Sequence, residues 1–442
     1  MQYLVRPAIV MFIALSLACG PAAPAAAPVP SAAKPAASGP AAAPAEKPAS
    51  SGPTAASADK PAASGAPAPA APAKAAGSAE PIKIGQIASL SAYLAQTGKQ
   101  ANQGISLAVD AINRAGGVNG RPLQLITEND ESDASKSVVA FTRLVEQEKV
   151  VAVFGPQRSD GTGAIAPLAK KNNVPLLTFS FIVPEPAEYV FSLNPLPEPT
   201  ANQMAQALKQ RGVKRVATMN AIDLYSKTAA ESFTKAASAA GLTIVGSETF
   251  NQQNDRNFIA QLGKLNGQSP EWLALFGGGA ALPLVVKQSR EVGLKAPIMT
   301  DAGTLLVGLD SFVEATGGPG GASEGLNITS LKAAVFESLS KDDPTFKRLE
   351  QFREDFKAKN GAYPNAADWW IVTQYDSVGV VAEAIRRSGA SEGPKLVQAI
   401  EAMNPYQGVT AAYSFGPGQH GGLTSDQLIT VQIQSGKLSL SK

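Results

Sequence analysis

Val150-Val151-Ala152-Val153-Phe154-Gly155-Pro156 is the stretch on which the fold turns. Five consecutive apolar residues with no alternation read as a short strand covered on both faces, the habit of parallel sheets inside α/β proteins. Gly155-Pro156 turns the chain, 163–171 reads as a helix and 174–179 as the next strand. The same rhythm extends upstream. Residues 82–87 are a β-rich run, and a helix follows over 101–114 with Ile105, Leu107, Ala108, Val109, Ala111 and Ile112 on its apolar face. Gly116-Gly117 closes that helix. A strand at 123–126 and a helix at 135–148 complete the block. Downstream the alternation repeats: strands at 214–219, 243–250, 271–276 and 297–300, with helices at 227–240, 257–265 and 282–292 between them. After Gly325 helices dominate, at 343–359, 366–388 and 394–403. The tail, 428–433 with a turn at Ser435-Gly436-Lys437, reads as a hairpin. Two successive βα blocks predict an α/β protein of two doubly wound, Rossmann-like lobes. Ligands in such sheets bind beyond the carboxyl ends of the strands, where the loop 155–162 falls. Two facing lobes would set such loops around one cleft.

The first 80 residues have a different character. Arg6 precedes an uncharged run, 7–18, that ends in Leu15-Ser16-Leu17-Ala18-Cys19-Gly20. The run is too short to span a bilayer, which takes about 20 residues, and it has the order of a secretory signal peptide. It resembles the lipobox of bacterial lipoproteins, with Ser16 where that motif prefers Leu. The resemblance implies that Cys19 becomes the lipidated N-terminus, giving a signal segment over 1–19 and an extracytoplasmic, membrane-anchored product. Cys19 is the only cysteine, so no intrachain disulfide is possible. Residues 20–80 are Ala, Pro, Ser and Gly with sparse charges, and no large apolar residue occurs from Pro30 to Glu80. Nothing there offsets the entropy of ordering, and the scattered prolines forbid a continuous helix. This segment reads as a disordered tether.

Composition narrows the function classes. The net charge is +2 and only 17% of residues are charged, with no long basic block. A nucleic-acid partner is not expected. One histidine, His420, and one cysteine leave no ligand set for a zinc site built from nitrogen and sulfur. Neither metal nor cofactor is expected.

Several phrases resemble the type I solute-binding proteins of the leucine/isoleucine/valine-binding family, which serve ABC importers. They are Lys83-Ile84-Gly85; Gly104 with Ala108-Val109-Asp110-Ala111-Ile112-Asn113; Gly116-Gly117-Val118-Asn119-Gly120; Gly155-Pro156 with Ser159; Tyr225; Asp255, Phe258 and Leu262; Tyr375-Asp376-Ser377-Val378; and Gly408, Phe415 and Gly418. The resemblance covers 81–442. It implies the periplasmic-binding-protein type I fold, with two lobes joined by three crossings. Lobe one would comprise 81–198 and 329–424, and lobe two 199–328 and 425–442. A small solute would bind between them and the lobes would close on it as hinged bodies. The implied partners are that solute, the ABC permease subunits and the membrane, with the protein itself a monomer.

The resemblance also marks site residues. Ser159, just past a strand at a helix entrance, sits where the family's serine binds a ligand carboxylate. The alternative for this residue is a helix cap, and the ligand role is preferred because capping and anion binding can share one site. Arg158 beside it could clamp a carboxylate or be a solvated loop charge. Ser180 stands where a backbone carbonyl meets the ligand ammonium. Ile182 occupies a position usually held by a hydroxyl-bearing residue, which removes a side-chain hydrogen bond. Thr97 aligns with the cleft rim. Tyr225 pairs an apolar ring with a polar tip suited to covering a solute. Asp301 lies near the acidic partner of the ammonium, but the ungapped alignment puts Ala302 there, and one step in an extended segment reverses side-chain direction. These departures leave a carboxylate-bearing solute, an amino acid or a relative, as the preferred ligand; an amide, urea or an aromatic acid is the alternative. Trp369-Trp370 stands out without a clear role.

Rival classes are weaker. No Gly-x-Ser-x-Gly elbow on a strand-to-helix turn is evident, a hydrolase would need His420 to reach Ser159, and Gly277-Gly278-Gly279 lacks dinucleotide spacing. An enzyme is not expected. A ligand-sensing domain for a membrane receptor has the same sequence features as an importer component. A lactose-repressor-like regulator shares the lobes, but the export signal and absent DNA-binding headpiece argue against it.

Overall fold

The computed structural model describes residues 80–365 and 367–441. The signal segment with Cys19 and the tether up to residue 79 lie outside the described residues.

Two sheets carry the molecule. The first is wholly parallel: β1 (Ile82–Ala88), β2 (Leu123–Asn129), β3 (Val153–Phe154), β4 (Leu176–Thr178) and β5 (Val190–Ser192), in the spatial order β2-β1-β3-β4-β5. The helices α1 (Ala95–Arg114), α2 (Ala134–Thr142) and α3 (Ser159–Asn172) make its crossovers, and α4 (Pro197–Gln210) leads to the second sheet. There β6 (Arg215–Ala221), α5 (Leu224–Ala240), β7 (Thr243–Phe250), α6 (Ile259–Gly267), β8 (Trp272–Phe276), α7 (Ala281–Glu291), β9 (Ile298–Asp301), α8 (Leu309–Ala315) and β10 (Asn327–Ser330) follow. The parallel part runs β7-β6-β8-β9-β10, the order of the first sheet repeated. Each lobe thus has one switch point, where the strand order reverses: between β1 and β3 in the first, between β6 and β8 in the second. Strand ends there leave a crevice for a ligand.

The chain then returns to the first lobe as α9 (Pro344–Asn360), α10 (Trp370–Ser388) and α11 (Gly393–Glu401), and a small ladder of β11 (Tyr406–Gln407) with β12 (Ala412–Tyr413). It ends in the hairpin β13 (Ile429–Gln434) and β14 (Lys437–Leu440), which extends the second sheet antiparallel to β10. The passages between lobes run side by side. Ser192 N–H donates to the His420 carbonyl at 2.9 Å and Gly422 N–H to the Ser192 carbonyl at 2.8 Å.

Local chemistry explains most element bounds. Asp133 caps α2 by accepting from Lys136 N–H at 2.9 Å, and Asp223 caps α5 through Ser226 N–H at 3.0 Å. Gly241 ends α5 at φ +81°, a left-handed turn that glycine adopts without steric cost. Several elements differ from the sequence reading. The expected helix 135–148 is α-helical only to Thr142 and continues as a wider π-type turn over Arg143–Gln147. The expected helix 366–388 starts at Trp370, because Asn365 ties down Ala367 N–H with its side chain and Asp368 N–H with its carbonyl. The short strands β10, β11 and β12 and the helix α8 are absent from the sequence reading, as are β5 and α4 over 190–210. Pro195, Pro197 and Pro199 punctuate that stretch, yet Pro197 occupies the first helical turn, where a missing N–H costs nothing.

The cores fill with side chains from these elements. Ile84, Ile105, Phe154 and Phe191 are fully buried around the first sheet, and Val216, Phe233, Leu275 and Ile328 around the second. Beneath the β11–β12 ladder, Asp376 is 1% exposed and accepts from Val409 N–H (2.7 Å), Thr410 N–H (3.3 Å) and the Tyr413 hydroxyl (3.1 Å). Burial pushes its carboxyl up to about 7 against those bonds. The Tyr375-Asp376-Ser377-Val378 phrase therefore serves the fold, since its carboxylate pins the loop at 408–410 to α10.

Candidate functional site

Ser159 is the first residue of α3, immediately beyond the switch-point strand β3. It does not cap the helix. Arg158 is the cap residue by backbone geometry, and neither side chain bonds an amide of the first turn as a cap. The Ser159 hydroxyl instead meets the Ser180 hydroxyl at 2.8 Å. Ser180 is fully buried, and its Oγ also accepts from Ile182 N–H at 3.0 Å. Its own carbonyl, the expected ammonium contact, accepts from the Ser192 hydroxyl at 3.3 Å. Arg158 turns to its neighbour Asp160: its Nε donates to Oδ1 at 2.7 Å and an η-nitrogen to Oδ2. Burial raises the Asp160 carboxyl, but the Arg158 bonds and the Gly161 N–H outweigh it and hold it below its ordinary range.

The opposing group belongs to the second lobe. Asp301 ends β9 and caps the tight turn Ala302–Val307, its Oδ1 accepting from Gly303 N–H at 2.9 Å. It is 1% exposed, and its Oδ2 has no hydrogen-bond partner among the described residues. Burial pushes this carboxyl up to about 6, against a smaller lowering by the nearby Tyr225 hydroxyl. Burial and the Asp301 charge in turn raise the Tyr225 phenol well above its usual value. Asp301, not Ala302, thus carries an under-used charge beside Tyr225.

Phe181 closes the gap between the lobes. Its ring lies 5.3 Å from that of Tyr225 and 6.0 Å from that of Trp369, which stands 6.0 Å from Trp370. Next to Phe181 is a small, partly open cavity of about 60 Å³ that reaches Thr97, Gln157, Asn194, Trp370 and Gln374 from the first lobe and Leu306 from the second. Thr97 is 8% exposed and spends its hydroxyl on the Leu94 carbonyl at 3.0 Å. Ile182 does not line this cavity. It borders a larger groove of about 670 Å³ beside the inter-lobe passages, with Leu196, Thr228, His420 and Leu423.

The structure therefore gathers Ser159, Ser180, Tyr225, Asp301 and Thr97 around Phe181. It leaves Arg158 engaged with Asp160 and Ile182 behind Ser180. Sequence reading missed Phe181, Gln157, Asn194 and Gln374. Phe181 directly follows Ser180, and an aromatic leaving a strand end toward a cleft was the available signal. Nothing local marks the three amides. His420 is 3% exposed, stacks on Phe191 with ring centres 4.1 Å apart, and is held by the Ala187 carbonyl at 2.7 Å and Glu401 at 2.9 Å. It forms no pair with Ser159.

Comparison with known proteins agrees with this architecture. The family model described as periplasmic binding protein matches residues 81–437, and the chain belongs to that family. The leucine-, isoleucine-, valine-, threonine- and alanine-binding protein of Pseudomonas aeruginosa is 28% identical over 76% of this chain and 86% of its own length. The branched-chain amino acid transporter substrate binding protein LivJ of Streptococcus pneumoniae, solved with isoleucine, superimposes with a TM-score of 0.67 at 25% identity, covering 82% of this chain and 99% of that one. A periplasmic binding protein type 1 from Bordetella pertussis gives 0.69 at 20% identity, covering 82% and 99%. The fold is that of the type I periplasmic binding proteins.

Proposed function

We propose that this chain is the extracytoplasmic solute-binding component of an ABC importer, capturing a small carboxylate-bearing solute, an amino acid or a close relative. Its lobes, 81–198 with 329–424 and 199–328 with 425–442, close on that solute, and permease subunits receive it. The observation that carries the reading is a buried carboxylate oxygen with no partner among the described residues, Asp301 Oδ2, on the second lobe, with a hydroxyl pair at a helix amino end on the first. An ammonium satisfies the first. A carboxylate suits the second, where hydroxyls and helix-terminal N–H groups favour negative charge. Arg158 adds positive charge already shared with Asp160, Ile182 fixes the Ser180 hydroxyl through its main chain, and Tyr225 covers the solute from the second lobe. No chemical turnover is part of this role. Calorimetry of the full chain against amino acids, amides and aromatic acids tests it. Ser159→Ala and Tyr225→Ala are each expected to cost about 1–3 kcal/mol of binding free energy, or about ten- to a hundred-fold in affinity, at nearly unchanged melting temperature. If neither variant alters affinity for a ligand found by the screen, the site is elsewhere.

The lone Cys19 ending an apolar run supports a lipid anchor at the start of the mature chain. The wild-type protein is expected to take up labelled fatty acid in a bacterium with lipoprotein processing, and Cys19→Ser to be released from membranes. Equal membrane retention of the variant would remove the anchor from the reading.

A further inference from the structure

The cavity beside Phe181 differs from a hydrocarbon-binding pocket in one respect. Its lining mixes apolar residues, Leu94, Ala101, Phe179, Phe181 and Leu306, with Thr97, three carboxamides (Gln157, Asn194 and Gln374) and the Trp370 indole, and none of these described lining residues is charged. The amides are anchored rather than loose. Gln157 Oε1 accepts from Ser89 N–H at 3.0 Å, Asn194 Nδ2 donates to the Phe179 carbonyl at 2.6 Å, and Gln374 Nε2 donates to the Thr373 hydroxyl at 3.3 Å. Each carboxamide nitrogen carries two N–H groups, so one such bond leaves donor capacity on the cavity wall. Trp370 is 6% exposed, and its indole N–H is buried with no acceptor among the described residues. A buried donor without an acceptor costs free energy that a suitable ligand atom recovers. A single water needs about 10–15 Å³, so a volume of about 60 Å³ leaves room for a small polar group rather than a lone water.

Resting on the amino-acid reading above, we infer that this cavity is the side-chain subsite and selects a small uncharged polar side chain, carboxamide-like, over a branched hydrocarbon of the same shape. The carbonyl oxygen of such a group meets the Trp370 N–H and the amide donors. Its flat faces pack between Phe181 and Leu306. A carboxylate of the same shape enters a pocket that offers no cation, while the Asp301 charge lies in the same cleft.

Three isosteric amino acids separate the possibilities: L-asparagine, L-leucine and L-aspartate, titrated into the full chain by calorimetry at pH 7.5. Asparagine is expected to bind at least tenfold tighter than leucine and a hundredfold tighter than aspartate. Trp370→Phe keeps an aromatic wall and removes the N–H, and is expected to lower the asparagine-to-leucine affinity ratio at least fivefold. Leucine binding as tightly as asparagine overturns the side-chain inference and leaves the amino-acid reading intact. An unchanged ratio in Trp370→Phe overturns the role given to the indole. Binding of none of the three overturns the inference, and the wider screen described above then decides separately whether the carboxylate-solute reading survives.

Discussion

Asp301→Asn is expected to weaken binding of an amino-acid ligand by about two orders of magnitude while making the empty protein more stable. The two effects have one cause. Asp301 is 1% exposed, one of its oxygens has no partner among the described residues, and burial lifts its carboxyl from 3.8 to about 6. The folded state thus holds the proton more tightly than the unfolded chain. The stability associated with that proton is present below pH 4 and lost as pH rises through 6, on the order of 2–3 kcal/mol in all. Asparagine cannot ionise and escapes that loss. In the complex the balance reverses, because a ligand ammonium supplies the missing partner, and removing one member of a buried charge pair costs about 3 kcal/mol or more. Melting curves with and without ligand read both signs. Wild-type affinity should also fall as pH drops below about 6, where the carboxyl takes up its proton, and Asp301→Asn should flatten that dependence. An Asp301→Asn protein that binds an amino acid as well as wild type, at any pH between 5 and 8, would exclude the ammonium contact. A simple carboxylate would then be the ligand class to pursue.

Gly104→Ala is expected to destabilise the protein by about 3 kcal/mol, whereas Gly263→Ala is expected to stabilise it by about 0.5–1 kcal/mol. Both glycines are inside helices, α1 and α6, where alanine is intrinsically preferred by about 1 kcal/mol. At Gly263 a Cβ meets nothing within 4 Å, so that preference is all that remains. At Gly104 a Cβ would lie 2.2 Å from the Ile371 carbonyl oxygen, part of the first turn of α10. A backbone atom cannot rotate away, so α1 and α10 must separate, and overpacking of this kind costs 1–3 kcal/mol or more. Denaturant melts of the two variants check the opposed signs. Equal effects would mean that α1 and α10 are not in close contact.

These two residues divide what could be read along the chain from what could not. Repeating strand and helix periods, with glycine and proline between them, determined the α/β class, two blocks and most element bounds, because side-chain periodicity and turn chemistry are local. The phrases around Gly104 and Tyr375-Asp376 were visible as a family pattern, but their physical reasons were not: a carbonyl on another helix and a loop more than thirty residues downstream. The site divides likewise. Ser159, Tyr225 and Asp301 were candidates from the family resemblance and from their position after strands. That Ser159 spends its hydroxyl on Ser180, that Arg158 turns to Asp160, and that Asp301 keeps one oxygen without a partner among the described residues were decided by the tertiary structure alone. So was the amide-lined cavity beside Phe181, whose walls come from segments between residue 94 and residue 374. Burial and hydrogen-bond satisfaction are sums over whatever the fold brings near, and no local stretch of sequence contains them.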